Sequence, residues 1–213
     1  MKSSIVVSGV LGVLWLGAIG LGMPILMNYE VTSGLDAAPP LQWPKSHAVS
    51  LAKTCPTLIL FAHPQCPCTT ASICELSKLM AERGTRLKAY VLVLAPRTVP
   101  EHWNRRDIWE GARAIPGVTV LSDMNGQEAK LFGSRTSGQT VVYSSGGRLL
   151  FTGGITGARG RIGDNSGLSS LLSALDGKAT VLSDEVVNLR TASVFGCSFD
   201  RISIDQFSKR KPE

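Results

Sequence analysis

From Ser3 to Tyr29 the chain carries no Lys, Arg, Asp or Glu. Within that stretch Ile5 to Met27 reads IVVSGVLGVLWLGAIGLGMPILM. As a helix rising about 1.5 Å per residue it is long enough to cross a ~30 Å hydrocarbon layer. The apolar core of a secretory signal usually runs about 7 to 15 residues and ends at a small-residue cleavage site. No A-x-A pattern follows Met27, so residues 1–28 are expected to be an uncleaved transmembrane anchor, with cleavage near Gly17 to Gly22 as the alternative. Lys2 is the only basic side chain before the span and Lys45 the first after it. The positive-inside tendency then keeps the amino terminus in the cytoplasm and exports the rest, periplasmic or otherwise extracytoplasmic, as a single-pass protein of the cell membrane.

Once the span is set aside, the 213 residues leave one domain of roughly 150, enough for a single well-buried core. That excludes a multi-domain machine and a polytopic membrane protein, and the apolar and glycine content argues against wholesale disorder. Residues 29–48 include DAAPPLQWP, Asp36 to Pro44, and read as a semi-extended linker. The domain is expected over residues 49–178, with a C-terminal extension over residues 179–213 that holds Cys197 and a basic end at Lys209 to Lys211. The net charge of +6 is spread along the chain, which suits anionic membrane or envelope polymers and not nucleic acid.

Hydrophobic patterning predicts the order of elements. Thr57 to His63 and Leu87 to Leu94 are short apolar runs rich in strand formers. Between them Ile73, Leu76, Leu79 and Met80 recur at helical spacing, with Thr69 or Thr70 as cap and Gly84 as stop. Trp103, Ile108, Trp109 and Ala112 mark a second helix, closed by Pro116 before a short strand, Val118 to Leu121. A turn with a short helix follows over Asp123 to Phe132. Gln139 to Tyr143 and Arg148 to Phe151 then form a hairpin around Gly146-Gly147. Leu168 to Leu175 is the last helix, with Asp164 or Asn165 as its cap. Strands alternating with helices, plus a hairpin, predict a three-layer α/β/α domain on a mixed sheet.

The chemistry sits in LFAHPQCPCTTASICEL, Leu60 to Leu76. Cys66 and Cys68 lie where a strand ends and a helix begins, and the unsatisfied N–H groups there stabilise a thiolate. A thiolate is the nucleophile of disulfide exchange, and a neighbouring thiol can resolve the mixed disulfide it forms. Five cysteines is an odd number for an oxidising compartment, so at least one of Cys55, Cys66, Cys68, Cys74 and Cys197 stays unpaired or pairs outside the chain. Cys74 reads first as a small core residue and second as a resolving thiol, and Cys55 and Cys197 either pair with each other or cap the site, which the sequence does not decide.

With the strand-cysteine-helix start, DMNGQEAKLFG at Asp123 to Gly133 and the hairpin VVYSSGGRLLFTGG, the chain resembles the thioredoxin-like superfamily. It is most similar to the RedB-like group of exported, membrane-attached bacterial proteins, through HPQCPCT, TSG, FTGGIT, RGRIGDN and VFGC. The resemblance runs from about Thr57 to Cys197. It implies a thioredoxin-like fold and a thiol-disulfide role on protein thiols or disulfides of the cell envelope, with Cys66 as nucleophile and Cys68 as resolving thiol, and the reverse assignment as the alternative. No cofactor or metal is expected. The chain departs from the thioredoxin pattern in three places. Cys66-Pro67-Cys68 is one residue shorter than Cys-x-x-Cys and follows Gln65 in place of Trp; Thr136-Ser137-Gly138 stands where a cis-proline loop is usual; and Arg161 stands where the RedB-like pattern has His. A disulfide in so small a ring is strained and therefore easier to reduce. Gly138 and His63 are the candidate supporting residues, and His63 reads first as a structural hydrogen-bonder.

Two rivals belong to other classes. A Cu(I) module would use Cys66, Cys68 and His63 as soft or borderline ligands. Its case is weakened by a spacing shorter than Cys-x-x-x-Cys and by the lack of any His after His102. A thiol peroxidase would need a Pro-x-x-x-Thr-x-x-Cys pattern, which is absent. The glycine-rich Gly153 to Gly167 lacks the Gly-Lys-Ser/Thr ending of a phosphate loop. It reads as a tight loop that brings Arg159 or Arg161 near the site.

Overall fold

The computed structural model describes residues 2–96, 106–177, 180–182, 185–187 and 189–199. Trp103 and the basic end at Lys209 to Lys211 lie outside them. Two compact units divide the chain, Met1–Thr32 and Ser33–Glu213. The first is a single helix, α1 (Lys2–Val31). Its Val6–Val31 part has a mean hydropathy of 2.1, long and apolar enough to cross a membrane. A signal sequence has the same character. Large apolar side chains such as Leu14, Leu21 and Ile25 are exposed along it.

In the second unit the first two strands, β1 (Thr57–Ala62) and β2 (Lys88–Ala95), flank α2 (Pro67–Arg83) in a parallel crossover. The chain continues through α3 (Arg106–Arg113) to β3 (Val118–Met124), parallel to β2, and then through α4 (Gln127–Leu131) to the hairpin β4 (Thr140–Tyr143) and β5 (Leu149–Gly153). A last helix, α5 (Ser166–Leu175), is capped by Asn165, whose side chain accepts a hydrogen bond from the Leu168 N–H at 2.8 Å. β6 (Thr180–Leu182) and β7 (Glu185–Val187) pair with each other, and β8 (Arg190–Thr191) joins the main sheet. The sheet order is β3-β2-β1-β4-β5-β8, with β4 antiparallel to both its neighbours.

Side chains alternate across a strand, and β1 splits accordingly into two cores. Leu58, Leu60 and Ala62 pack with α2, α3 and α5, including Leu76, Leu79, Ile108 and Leu171. Ile59 and Phe61 face the other way, onto Phe132, Val141, Tyr143 and Val49. The mixed α/β sheet with helices on its faces is the architecture the patterning predicts. One face is built differently from the expectation, because α4 covers only part of it and non-helical chain from Trp43 to Leu51 covers the rest.

The stretch read as a linker therefore packs on the domain from Ser33 onward. The Trp43 ring meets those of Phe132 and Tyr143 edge to face at 5.2 and 5.3 Å, and the Tyr143 hydroxyl donates to the Pro40 carbonyl at 2.8 Å. The Trp43 N–H donates to the Gly147 carbonyl, so the segment is anchored by backbone as well as rings. Composition concealed this, since Pro-rich sequence resembles a spacer whether or not a single tryptophan docks. Trp43→Ala is expected to cost about 2 kcal/mol of unfolding free energy, read by denaturant titration. An unchanged midpoint would mean that the ring adds nothing to the core.

Candidate functional site

The helix begins earlier than its predicted cap at Thr69 or Thr70. Pro67 takes the first helical position, where its missing N–H costs nothing, and Cys66 becomes the N-cap in extended conformation (φ −86°, ψ 115°). Thr69 has other work: its hydroxyl donates to the His63 carbonyl at 3.2 Å and shares a 2.8 Å hydrogen bond with the Ser137 hydroxyl. Cys66 thus sits at the positive end of a 17-residue helix, wholly buried, with Cys68 buried two residues on, within the first turn.

The structure adds a third thiol. Cys197 is brought against Cys66 by a segment that folds back onto the loop before β4. The Ser137 N–H donates to the Cys197 carbonyl at 2.8 Å, Thr136 and Ser198 form an antiparallel bridge, and the Phe199 N–H donates to the Arg135 carbonyl at 2.9 Å. Arg159 holds the same segment, donating to the Gly196 carbonyl at 2.6 Å. All five cysteines are free thiols.

Electrostatics separate the three. The Cys66 sulfur accepts hydrogen bonds from the thiols of Cys197 and Cys68 and from the backbone N–H of each, and these hold its pKa far below the usual thiol range against the cost of burial. Cys68 and Cys197 are pushed the other way, first because each donates its proton to Cys66 and then by burial, with the nearby Arg159 charge opposing. One thiolate flanked by two thiols is the resulting arrangement.

Of the supporting candidates, His63 donates its N–H to the Ser137 hydroxyl at 2.8 Å, and its Nδ1 accepts from the Gln65 N–H at 3.1 Å. Its ring stacks on Phe199, centroids 6.4 Å apart. Burial lowers its pKa, partly offset by the Cys66 thiolate. Gly138, at φ 89°, donates its N–H to the Phe61 carbonyl at 2.8 Å, and a Cβ there would stand 3.0 Å from the Ser72 hydroxyl. It packs on α2, and the neighbouring Ser137 is the residue that holds the Cys197 segment. Of the two arginines considered, Arg159 is the one that bonds the Cys197 segment and whose charge acts on the Cys68 and Cys197 thiols. Cys74 lines a groove between α2 and α3 with Ile73, Ile108 and Ile115. Among the described residues no group of three or more His, Cys, Asp or Glu is placed to hold a metal ion. Of the two roles the sequence left open for Cys197, a pair with Cys55 or a cap on the site, the contact with Cys66 corresponds to the second.

The crossover β1-α2-β2, followed by the hairpin β4-β5 and α5 beside it on the same sheet, is a thioredoxin-like fold. No family model and no curated protein matches the chain. Among solved structures it is similar to an uncharacterized conserved protein from Geobacillus kaustophilus, 18% identical with a TM-score of 0.54, covering 86% of this chain and 94% of that one. A hypothetical protein from Sinorhizobium meliloti 1021 is 19% identical, also with a TM-score of 0.54, covering 79% and 94%. A secreted disulfide oxidoreductase of Mycobacterium tuberculosis is 16% identical over 46% of this chain and 67% of its own, with a TM-score of 0.38. At these identities the likeness concerns the fold.

Proposed function

We propose that the protein is an exported, membrane-anchored thiol-disulfide oxidoreductase, with α1 as its anchor and protein thiols or disulfides of the cell envelope as its partners. Cys66 thiolate attacks a partner disulfide and Cys68 resolves the mixed disulfide; in the opposite direction a reduced partner attacks the Cys66–Cys68 disulfide. The observation that carries this reading is Cys66, wholly buried at the N-cap of α2, with Cys68 two residues on and the Cys197 segment docked on the loop beside it. The RedB-like motifs agree with it, since HPQCPCT, RGRIGDN and VFGC supply Cys66 and Cys68, Arg159, and Cys197.

An ordinary thiol with a pKa near 8.5 is under about 1% ionised at pH 6. For the reduced protein, ultraviolet thiolate absorbance at about pH 6 is expected to equal one full thiolate and to vanish in Cys66→Ser. Absorbance that rises only through the ordinary thiol range would overturn the reading. The linkage has a definite sign. Below the unfolded thiol pKa the unfolded chain holds the Cys66 proton that the native state has lost, so the cluster's stabilising effect grows as pH rises toward about 8.5. Above that pH the native state retains the Cys68 and Cys197 protons longer than the unfolded chain does, and the effect declines.

A further inference from the structure

Cys66 is the proposed nucleophile, yet none of its surface reaches solvent, and one of the two thiols against it belongs to a segment remote in sequence. That segment docks by backbone pairing, through one isolated antiparallel bridge between Ser198 and Thr136 and the hydrogen bonds on either side of it. Backbone hydrogen bonds link Cys197 to Ser137 and Phe199 to Arg135, and the Gly196 carbonyl accepts from Arg159. Its fit depends on the absence of a side chain at Gly196, because a Cβ there would overlap the Ser137 carbonyl. Val194 is buried, its carbonyl accepts from the Gly34 N–H at 2.7 Å, and Phe199 stacks on His63. A cysteine-bearing segment paired by its backbone to the loop before β4, beside a reactive sulfur, occupies the position that an external cysteine-bearing peptide would need.

We propose that Cys197 is a second resolving thiol for Cys66, carried on a self-docked segment that an incoming partner displaces. The inference rests on the exchange chemistry proposed for Cys66. With the segment lifted, Cys66 thiolate attacks one sulfur of a partner disulfide, forms the Cys66–partner bond and expels the other partner sulfur as a thiolate. When the segment returns, Cys197 gives its proton to that thiolate and attacks the Cys66 sulfur. The Cys66–Cys197 bond forms, and the second partner sulfur leaves as a thiolate that takes a proton from water. Two electrons pass from the Cys66 and Cys197 thiols to the partner, which ends as a dithiol. Cys68 can then attack Cys66 and release Cys197 as a free thiol, with no further change in oxidation level. The protein thereby holds one pair of oxidising equivalents in either of two disulfides, and only the Cys197 form ties down the segment.

The test uses the full-length protein in detergent, reduced, then equilibrated with glutathione disulfide and glutathione, acid-quenched, thiol-blocked and peptide-mapped by mass spectrometry. Cys68→Ser is expected to form an intramolecular Cys66–Cys197 disulfide, and Cys197→Ser to form Cys66–Cys68. Adding Gly196→Ala to Cys68→Ser should lower the Cys66–Cys197 yield at a fixed glutathione ratio about tenfold, while Cys66 becomes about tenfold faster to alkylate, because the segment no longer seats. Circular dichroism establishes that each variant is folded. If Cys68→Ser forms no internal disulfide while Cys197→Ser still forms Cys66–Cys68, the Cys197 proposal is overturned and the oxidoreductase reading stands. If Cys66 enters no disulfide in the wild-type protein or in any variant, both fall.

Discussion

Replacing Cys66 with Ser is expected to remove disulfide exchange, with a loss of about a thousandfold or more in the rate at which the reduced protein cleaves a model disulfide. A serine hydroxyl stays protonated at neutral pH, so the sulfur nucleophile and the charge that organises the site disappear together. The other two thiols do not replace it at neutral pH, because burial still favours their protonated form once Cys66 is gone and neither sits at the helix cap. In Cys66→Ser the thiolate that raises them is gone, and their pKa values fall back toward the ordinary thiol range. Residual activity in that variant should therefore climb with pH through about 8 to 9, whereas wild-type activity should not. The measurement is a pH series of single-turnover exchange rates. A Cys66→Ser protein that keeps a tenth or more of wild-type activity at neutral pH would move the nucleophile elsewhere.

The second large effect is on stability. Phe132 follows α4 and is wholly buried on the sheet face opposite α2, with ring centroids 5.2 Å from Trp43 and 5.9 Å from both Phe61 and Tyr143. Phe132→Ala is expected to cost about 3 to 5 kcal/mol, through lost transfer free energy plus a cavity that the three remaining aromatic rings fill poorly on relaxation. Against a domain stability of about 5 to 15 kcal/mol, that is enough to leave part of the population unfolded at physiological temperature. The loss reaches the site through Phe61, whose N–H donates to the Gln139 carbonyl at 2.9 Å and whose carbonyl accepts from Gly138, holding the loop that seats Cys197. Denaturant titration of the detergent-solubilised chain checks the magnitude. A cost below about 1 kcal/mol would mean that this face is not a packed core.

Much of the architecture is legible without coordinates because local patterning decides it. Thr57–Ala62 and Lys88–Ala95 are apolar runs too short to be helices, and the spacing of Ile73, Leu76, Leu79 and Met80 admits only a helix with one buried face. The turn at Gly146-Gly147 predicts a hairpin, and a cap at Asp164 or Asn165 follows from their chemistry, with the structure choosing Asn165. The helix start was harder, because Thr69 and Thr70 are good cap residues and Cys66 is not. Tertiary context settled it by giving the Thr69 hydroxyl to Ser137 and the first helical position to Pro67.

The sequence by itself determined the charge-free apolar helix, the alternation of strands and helices, and the placement of Cys66 and Cys68 at the start of a helix that favours a thiolate. These follow from side-chain periodicity, breaker residues and the helix dipole, all of which act within a few residues. Only the tertiary structure decided that Trp43 belongs to a core and that β8 extends the sheet beyond β5. It likewise decided that Cys197 returns to Cys66. Those outcomes depend on which backbone edge is left open and on which glycine lets two chains approach, as Gly196 does at Ser137. The physical reason is range: hydrogen bonds and van der Waals contacts between segments far apart in the chain leave no periodic trace in either segment.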